Sequence, residues 1–266
     1  MFQKLLRDLA VRVFGVVAEF GSRSKLFQRM FLASYSMYKE YLEAGPVDEL
    51  KQFVPVGSVV IDVGANVGFF SKRFASWVGP QGQVILLEPE DRNFEALQSM
   101  LNRDGLIGRA RLIKAAASET SGKALLKINP HHPGDHKLST DDTGVAVETV
   151  RLDDLVLDKG AGKPSLIKID VQGAELIVLR GAPEILKQAK PALFVELDEA
   201  GLGKFGASVA QILGYMGSAG YDAYWLRKGG QCTRATESDI VARISEIGYV
   251  DVLFLCSSGR ASGRTG

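Results

Sequence analysis

The sequence predicts an α/β fold: a mainly parallel sheet covered by helices on both faces. Three observations predict it. Short apolar runs of strand length alternate with helical segments along most of the chain, the pattern of parallel strands buried on both sides. One of these runs, "VVIDVG", leads straight into a glycine turn and a helix, which brings backbone N–H groups up to a ligand. The length of 266 residues, with 46% hydrophobic and 24% charged residues, suits one large domain and excludes disorder, collagen-like repeats and a disulfide scaffold.

The elements follow in order. Apolar spacing is helical over residues 3–53, with Leu5, Leu6, Leu9 and Val13 on one face and a second stripe through Phe27, Phe31, Tyr35 and Tyr38. Residues 1–53 are therefore expected to form an N-terminal helical cap. Arg7, Asp8, Arg12 and Glu19 interrupt its apolar stretch, well short of the ~20 apolar residues a membrane span needs. The cap packs on the domain or on a partner, with peripheral membrane contact as the minor alternative, and its aromatic stripe can serve a homodimer.

The α/β domain is expected over 54–256. Its strands are "SVVIDVG", "QVILLEP", "ARLIKAAAS", "KALLKIN", "VAVETVRL", "SLIKIDV", "PALFVEL", "YDAYWLR" and "YVDVLFLC". Helices are expected over 67–78, 91–103, 174–188, 207–219 and 236–246. The last two strands can pair as an antiparallel edge, and the Gly, Ser and Arg tail 257–266 carries no apolar anchor and is expected to be disordered. Cys232 and Cys256 are isolated in sequence and no export signal is evident, so two reduced, buried thiols in a cytoplasmic protein are expected. A net charge of +1 supplies no bulk field for nucleic acid or an anionic membrane.

In "VVIDVGANVGFFSKRF", Gly64 and Gly68 leave room for close backbone approach, and Asn66 stands where a third glycine is common. Asn is the side chain that best tolerates left-handed geometry. A dinucleotide fingerprint would read G-x-G-x-x-G, whereas this turn reads G-x-N-x-G with Ser71 in the last glycine's place. The carboxylate of Asp62 beside a truncated glycine set suits a ligand that is cationic near the turn, as S-adenosylmethionine is. Twenty residues after Gly68, Glu88 ends the second strand, where an acid can accept hydrogen bonds from both hydroxyls of a ribose.

The turn, "LLEPE", "ETVRLDDL" and "LIKIDVQGAELIVLRGA", in that order over residues 58–200, resemble the FkbM family of S-adenosylmethionine-dependent methyltransferases. The resemblance implies a seven-stranded Rossmann-like (class I) sheet with its last strand antiparallel. It implies methyl transfer to a hydroxyl of a sugar, glycan or other small natural product. It places the cofactor against Asp62, Gly64, Ala65, Asn66, Gly68, Glu88, Pro89 and Ala116, with Asp170 facing the methionine end and the acceptor. Two positions depart from the family's pattern. Gln172 replaces the usual Glu, so a carboxylate task is lost there, and Asp198 stands where a histidine is frequent. Asp153 or Asp154 in "VRLDDLV" is expected to cap the short helix that follows.

An alcohol becomes a good nucleophile only as its proton leaves, and a general base contributes roughly 10²–10⁴-fold. His136, Asp170 and Glu196 are the candidates, and His136 starts nearest to a useful pKa. The three histidines His131, His132 and His136 all fall within "HHPGDH". They lack the helical or hairpin spacing of zinc ligands and a clear fourth ligand, so no metal is expected. A solvated loop is the alternative for all three. Two other function classes stay open: an NAD-dependent oxidoreductase, and a non-catalytic binding protein on the same fold.

Overall fold

The computed structural model describes residues 47–129, 136–141, 143–156 and 162–257. The expected N-terminal helices before Val47, the histidines His131 and His132, and the tail from 258 onward lie outside the described residues. Among the described residues no helix is long and apolar enough to cross a membrane.

A 3-10 helix, Val47–Phe53, leads into β1 (Val59–Val63), α1 (Phe69–Trp77), β2 (Gln83–Leu87), α2 (Asp91–Arg103) and β3 (Ala110–Ile113). A smaller unit follows: β4 (Ala116–Ala117), β5 (Gly122–Lys127), β6 (Lys137–Leu138) and β7 (Val145–Val150). The chain then returns through α3 (Leu152–Val156), β8 (Pro164–Ile169), α4 (Glu175–Arg180), α5 (Pro183–Gln188) and β9 (Ala192–Leu197). It ends with α6 (Glu199–Lys204), α7 (Val209–Ser218), β10 (Tyr221–Leu226), β11 (Cys232–Arg234), α8 (Glu237–Ile247) and β12 (Val250–Cys256).

The main sheet has the order β11-β10-β12-β9-β8-β1-β2-β3. β1 pairs in parallel with β2 on one side and β8 on the other. The chain thus winds outward in both directions from β1, and the crevice beyond its carboxyl end is where a doubly wound sheet takes its ligand. β12 runs antiparallel to both β9 and β10, as expected for the last strand. The sheet has eight strands where seven were expected. The extra one is β11, which the turn at Gly229 (φ 84) and Gly230 (φ 77) folds back onto β10.

Apolar side chains cover both faces. Ile61, Val63, Ile85, Leu87, Ile167 and Ile169 belong to one core, and Val60, Val84, Leu86, Leu166 and Phe194 to the other. Each fully buried Leu or Ile contributes roughly 1.5–3 kcal/mol. The 3-10 helix joins the second core through Val47 and Leu50. Asp62 and Lys168, register partners on β1 and β8, interrupt the apolar alternation on that second face.

Two expected elements, and the burial of the cysteines, differ in detail. "ARLIKAAAS" divides: β3 stays in the main sheet, while β4 pairs with β7 in a separate four-stranded sheet of order β4-β7-β5-β6. The single helix over 174–188 is two helices, because Pro183 has no N–H to continue α4. Gly181 lies where a Cβ would collide with the Ser118 carbonyl. Cys232 and Cys256 are half-buried rather than buried.

Candidate active site

The turn after β1 takes the backbone its sequence demands: φ is 75° at Gly64, 52° at Asn66 and 97° at Gly68. The space left by the glycines is filled from within the protein. A Cβ on Gly64 would strike the Asp170 carbonyl, and one on Gly68 would strike the Met100 side chain. The amides of the turn also point inward. Gly64 and Ala65 donate to the Leu87 carbonyl, Asn66 to Glu88, Val67 to the Asn66 side chain and Gly68 to the Ala65 carbonyl. No amide from 64 to 68 is left to cradle a pyrophosphate. Ser71, in the place of the last fingerprint glycine, is buried and donates to Asp62 Oδ2 at 2.7 Å.

Glu88 stands at the β2 tip and is buried. Its Oε2 accepts from the Asn66 N–H at 2.8 Å and its Oε1 from the Glu90 N–H at 3.0 Å. Burial raises its carboxyl to about 7, with the Glu90 charge adding to the rise; the two N–H bonds and Lys168 oppose it. Glu90 caps α2 by accepting from the Asn93 N–H at 2.7 Å. His136 lies above this acidic end. Its Nδ1 accepts from the Asn129 N–H at 3.1 Å, which makes Nε2 the protonated nitrogen of the neutral ring, and Nε2 is 4.0 Å from Glu90 Oε2.

Asp170 leaves the tip of β8 beside Gly64. Its Oδ1 accepts from Gln172 Nε2 at 3.1 Å, and the same nitrogen donates to Glu196 Oε1 at 3.2 Å. One carboxamide thus bridges the two carboxylates with its two N–H donors, a role closed to the Glu of the family's pattern, which has at most one donor. Gln172 is held at φ 58 and Gly173 at φ 107. Glu175, 1% exposed, fixes this left-handed pair by accepting from the Val171 and Gly173 N–H groups at 3.2 and 3.1 Å. Burial raises the Glu175 carboxyl to about 7, and its Oε2 has no hydrogen-bond partner.

These residues enclose a cleft at the switch point. Gly64, Asn66, Glu88, Pro89, Ala116 and Asp170 line it, and His136, Lys137 and Leu138 form a side wall from the small sheet. Asp62, Ala65 and Gly68 do not line it; they support the turn from behind. Glu196 lies on a neighbouring cavity with Phe69, Phe194, Tyr249 and Asp251, and Asp170 and Lys168 belong to that wall too. Asp170 is therefore common to both spaces. Among the described residues no group of His, Cys, Asp and Glu is arranged to hold a metal ion.

Asp153 does not cap the helix in which it lies. Its carboxylate accepts from the Glu184 and Ile185 N–H groups at 3.1 and 3.0 Å and so caps α5, which begins with Pro183. Lys168 carried no signal of function in the sequence. A charged residue within an apolar strand that faces an acid on the next strand was the available clue.

The strand order, the glycine turn and the acids at the tips of β2 and β8 define a Rossmann-like fold of the class I methyltransferase type. The crystal structure of Methyltransferase FkbM from Methylobacillus flagellatus shares that fold, with a TM-score of 0.50 at 17% identity over 94% of this chain and 59% of that one. Residues 62–223 match the Methyltransferase FkbM domain, and the chain belongs to that family. Among similar proteins, the 2-O-methyltransferase NoeI of Sinorhizobium fredii is 28% identical over 50% of this chain and 60% of its own length. The hexuronic acid methyltransferase AglP of Haloferax volcanii is 31% identical over 48% and 52%. The 31-O-demethyl-FK506 methyltransferase FkbM of Streptomyces tacrolimicus is 31% identical over 48% and 60%. The matches thus span between half and two thirds of these relatives.

Proposed function

We propose that this protein is an S-adenosylmethionine-dependent methyltransferase acting on a hydroxyl of a sugar, glycan or other small natural product. The observation that carries the proposal is the turn at 64–68. Its amides are all engaged by protein acceptors, which disfavours a pyrophosphate and with it the NAD reading. An acid stands at each end of the cleft, Glu88 and Asp170, which suits a ligand with ribose hydroxyls at one end and an ammonium at the other. The relatives named above all carry methyltransferase names, two of them with an acceptor, a hexuronic acid and 31-O-demethyl-FK506.

When bound, the cofactor supplies a sulfonium methyl group for in-line displacement. The protein's task is to orient the acceptor and exclude water. In this reading Glu88 accepts from the ribose, Asn66, Pro89 and Ala116 shape the nucleoside end, and Asp170 faces the ammonium. Asp170 and Glu196, bridged by Gln172, are the pair that takes the acceptor proton. His136 roofs the cleft, because its only lone pair already accepts from Asn129. Val47 lines the second cavity, which we assign to the acceptor.

The test is transfer of a labelled methyl group to a panel of glycosides and macrolides. Transfer is expected, with Glu196→Gln slowing it about 100-fold, the lower range for loss of a base, and His136→Gln slowing it less than about 10-fold. The reverse order would return the base to His136. Binding of S-adenosylhomocysteine with no transfer to any acceptor would favour a non-catalytic role.

A further inference from the structure

The geometry points to Lys168 as the positioning residue of this site: its ammonium holds the Asp170 carboxylate at the cleft mouth and ties β8 to the glycine turn. This inference rests on the cofactor reading above. Lys168 is 3% exposed, in the middle of the sheet. Its Nζ donates to the Gly64 carbonyl at 3.0 Å, lies 3.5 Å from Asp170 Oδ2 and 3.4 Å from Asp62 Oδ1, and sits 5.0 Å over the Phe70 ring. A methionine would serve packing at this position. What an ammonium adds is a link between three groups, Gly64 on the turn, Asp62 on the neighbouring strand β1 and Asp170 at the end of its own strand.

Asp62 then has a different task from the one its sequence position suggests. It is fully buried, outside the cleft wall, and its Oδ1 has no hydrogen bond. Its neighbour there is the Lys168 ammonium. A buried ammonium is tolerated when paired, so Asp62 seats Lys168, and Lys168 in turn seats Asp170. Glu88 from β2 also feels the Lys168 charge, and Glu196 from β9 and Asp251 from β12 share its cavity. With so many acids around one cation, removing it favours protonation of a carboxylate at the site near neutral pH.

The experiment is calorimetric titration of the full chain with S-adenosylhomocysteine from pH 6 to 8. In the wild type Glu88, raised to about 7, ionises within that range, so the affinity is expected to rise by up to about tenfold from pH 6 to pH 8. In Lys168→Met it is expected to be at least about tenfold weaker than the wild type at pH 6, and this difference is expected to narrow by pH 8, as the carboxylates ionise. The double variant Asp62→Asn with Lys168→Met leaves no unpaired buried ammonium partner on β1, and serves if the single variant does not fold. It is expected to be at least about tenfold weaker than the wild type at pH 6. Wild-type affinity in either variant overturns the positioning role, whereas no binding by the wild type overturns the cofactor reading itself.

Discussion

Glu175 shows how one buried acid shapes the site without touching the cleft. It clasps the left-handed pair Gln172–Gly173, and burial raises its carboxyl from 4.5 to about 7. The folded state therefore holds this proton more tightly than the unfolded chain does. Stability falls as pH rises from 4.5 to 7, and the loss is complete above 7. Glu175→Gln cannot ionise, so its stability relative to wild type is expected to improve between pH 5 and pH 8, by up to about 3 kcal/mol. Urea unfolding at the two pH values measures it, and an identical difference at both would contradict the shift. Residue roles were unevenly legible. The left-handed position of Asn66 and the strand-end position of Glu88 followed from turn geometry and strand ends, whereas Lys168 and Glu175 act through contacts between strands and loops that adjacent sequence does not encode.

At the scale of elements, boundaries followed from local signals where these were strong. α2 begins and ends where its periodicity and the acid at Glu90 place it, and α8 carries a full capping box at Thr236 and Asp239. The separate small sheet was not legible, because "ARLIKAAAS" is one continuous β-prone run and only tertiary pairing splits it. Asp153 illustrates the same limit: the acid was recognised as a cap, but the helix it caps begins some 30 residues further on. Since it satisfies two N–H groups of α5, Asp153→Ala is expected to cost about 2 kcal/mol. Denaturant midpoints read this directly, and an unchanged midpoint would mean that α5 needs no cap from α3.

On the scale of the molecule, the α/β class, the parallel strands and the antiparallel last strand all followed from the order of short apolar runs and helices. The eighth strand did not, since three residues folded back by a Gly-Gly turn carry no periodicity. What the whole fold contributes is the switch at β1, which gathers the tips of β1, β2 and β8 around one cleft. The central claim is that this cleft takes an S-adenosyl cofactor and not a dinucleotide. Isothermal titration of the wild-type chain with S-adenosylhomocysteine and, separately, with NAD tests it most directly. Saturable one-to-one binding of S-adenosylhomocysteine, with no heat from NAD, is the predicted result. Saturable binding of NAD with none of S-adenosylhomocysteine would contradict it.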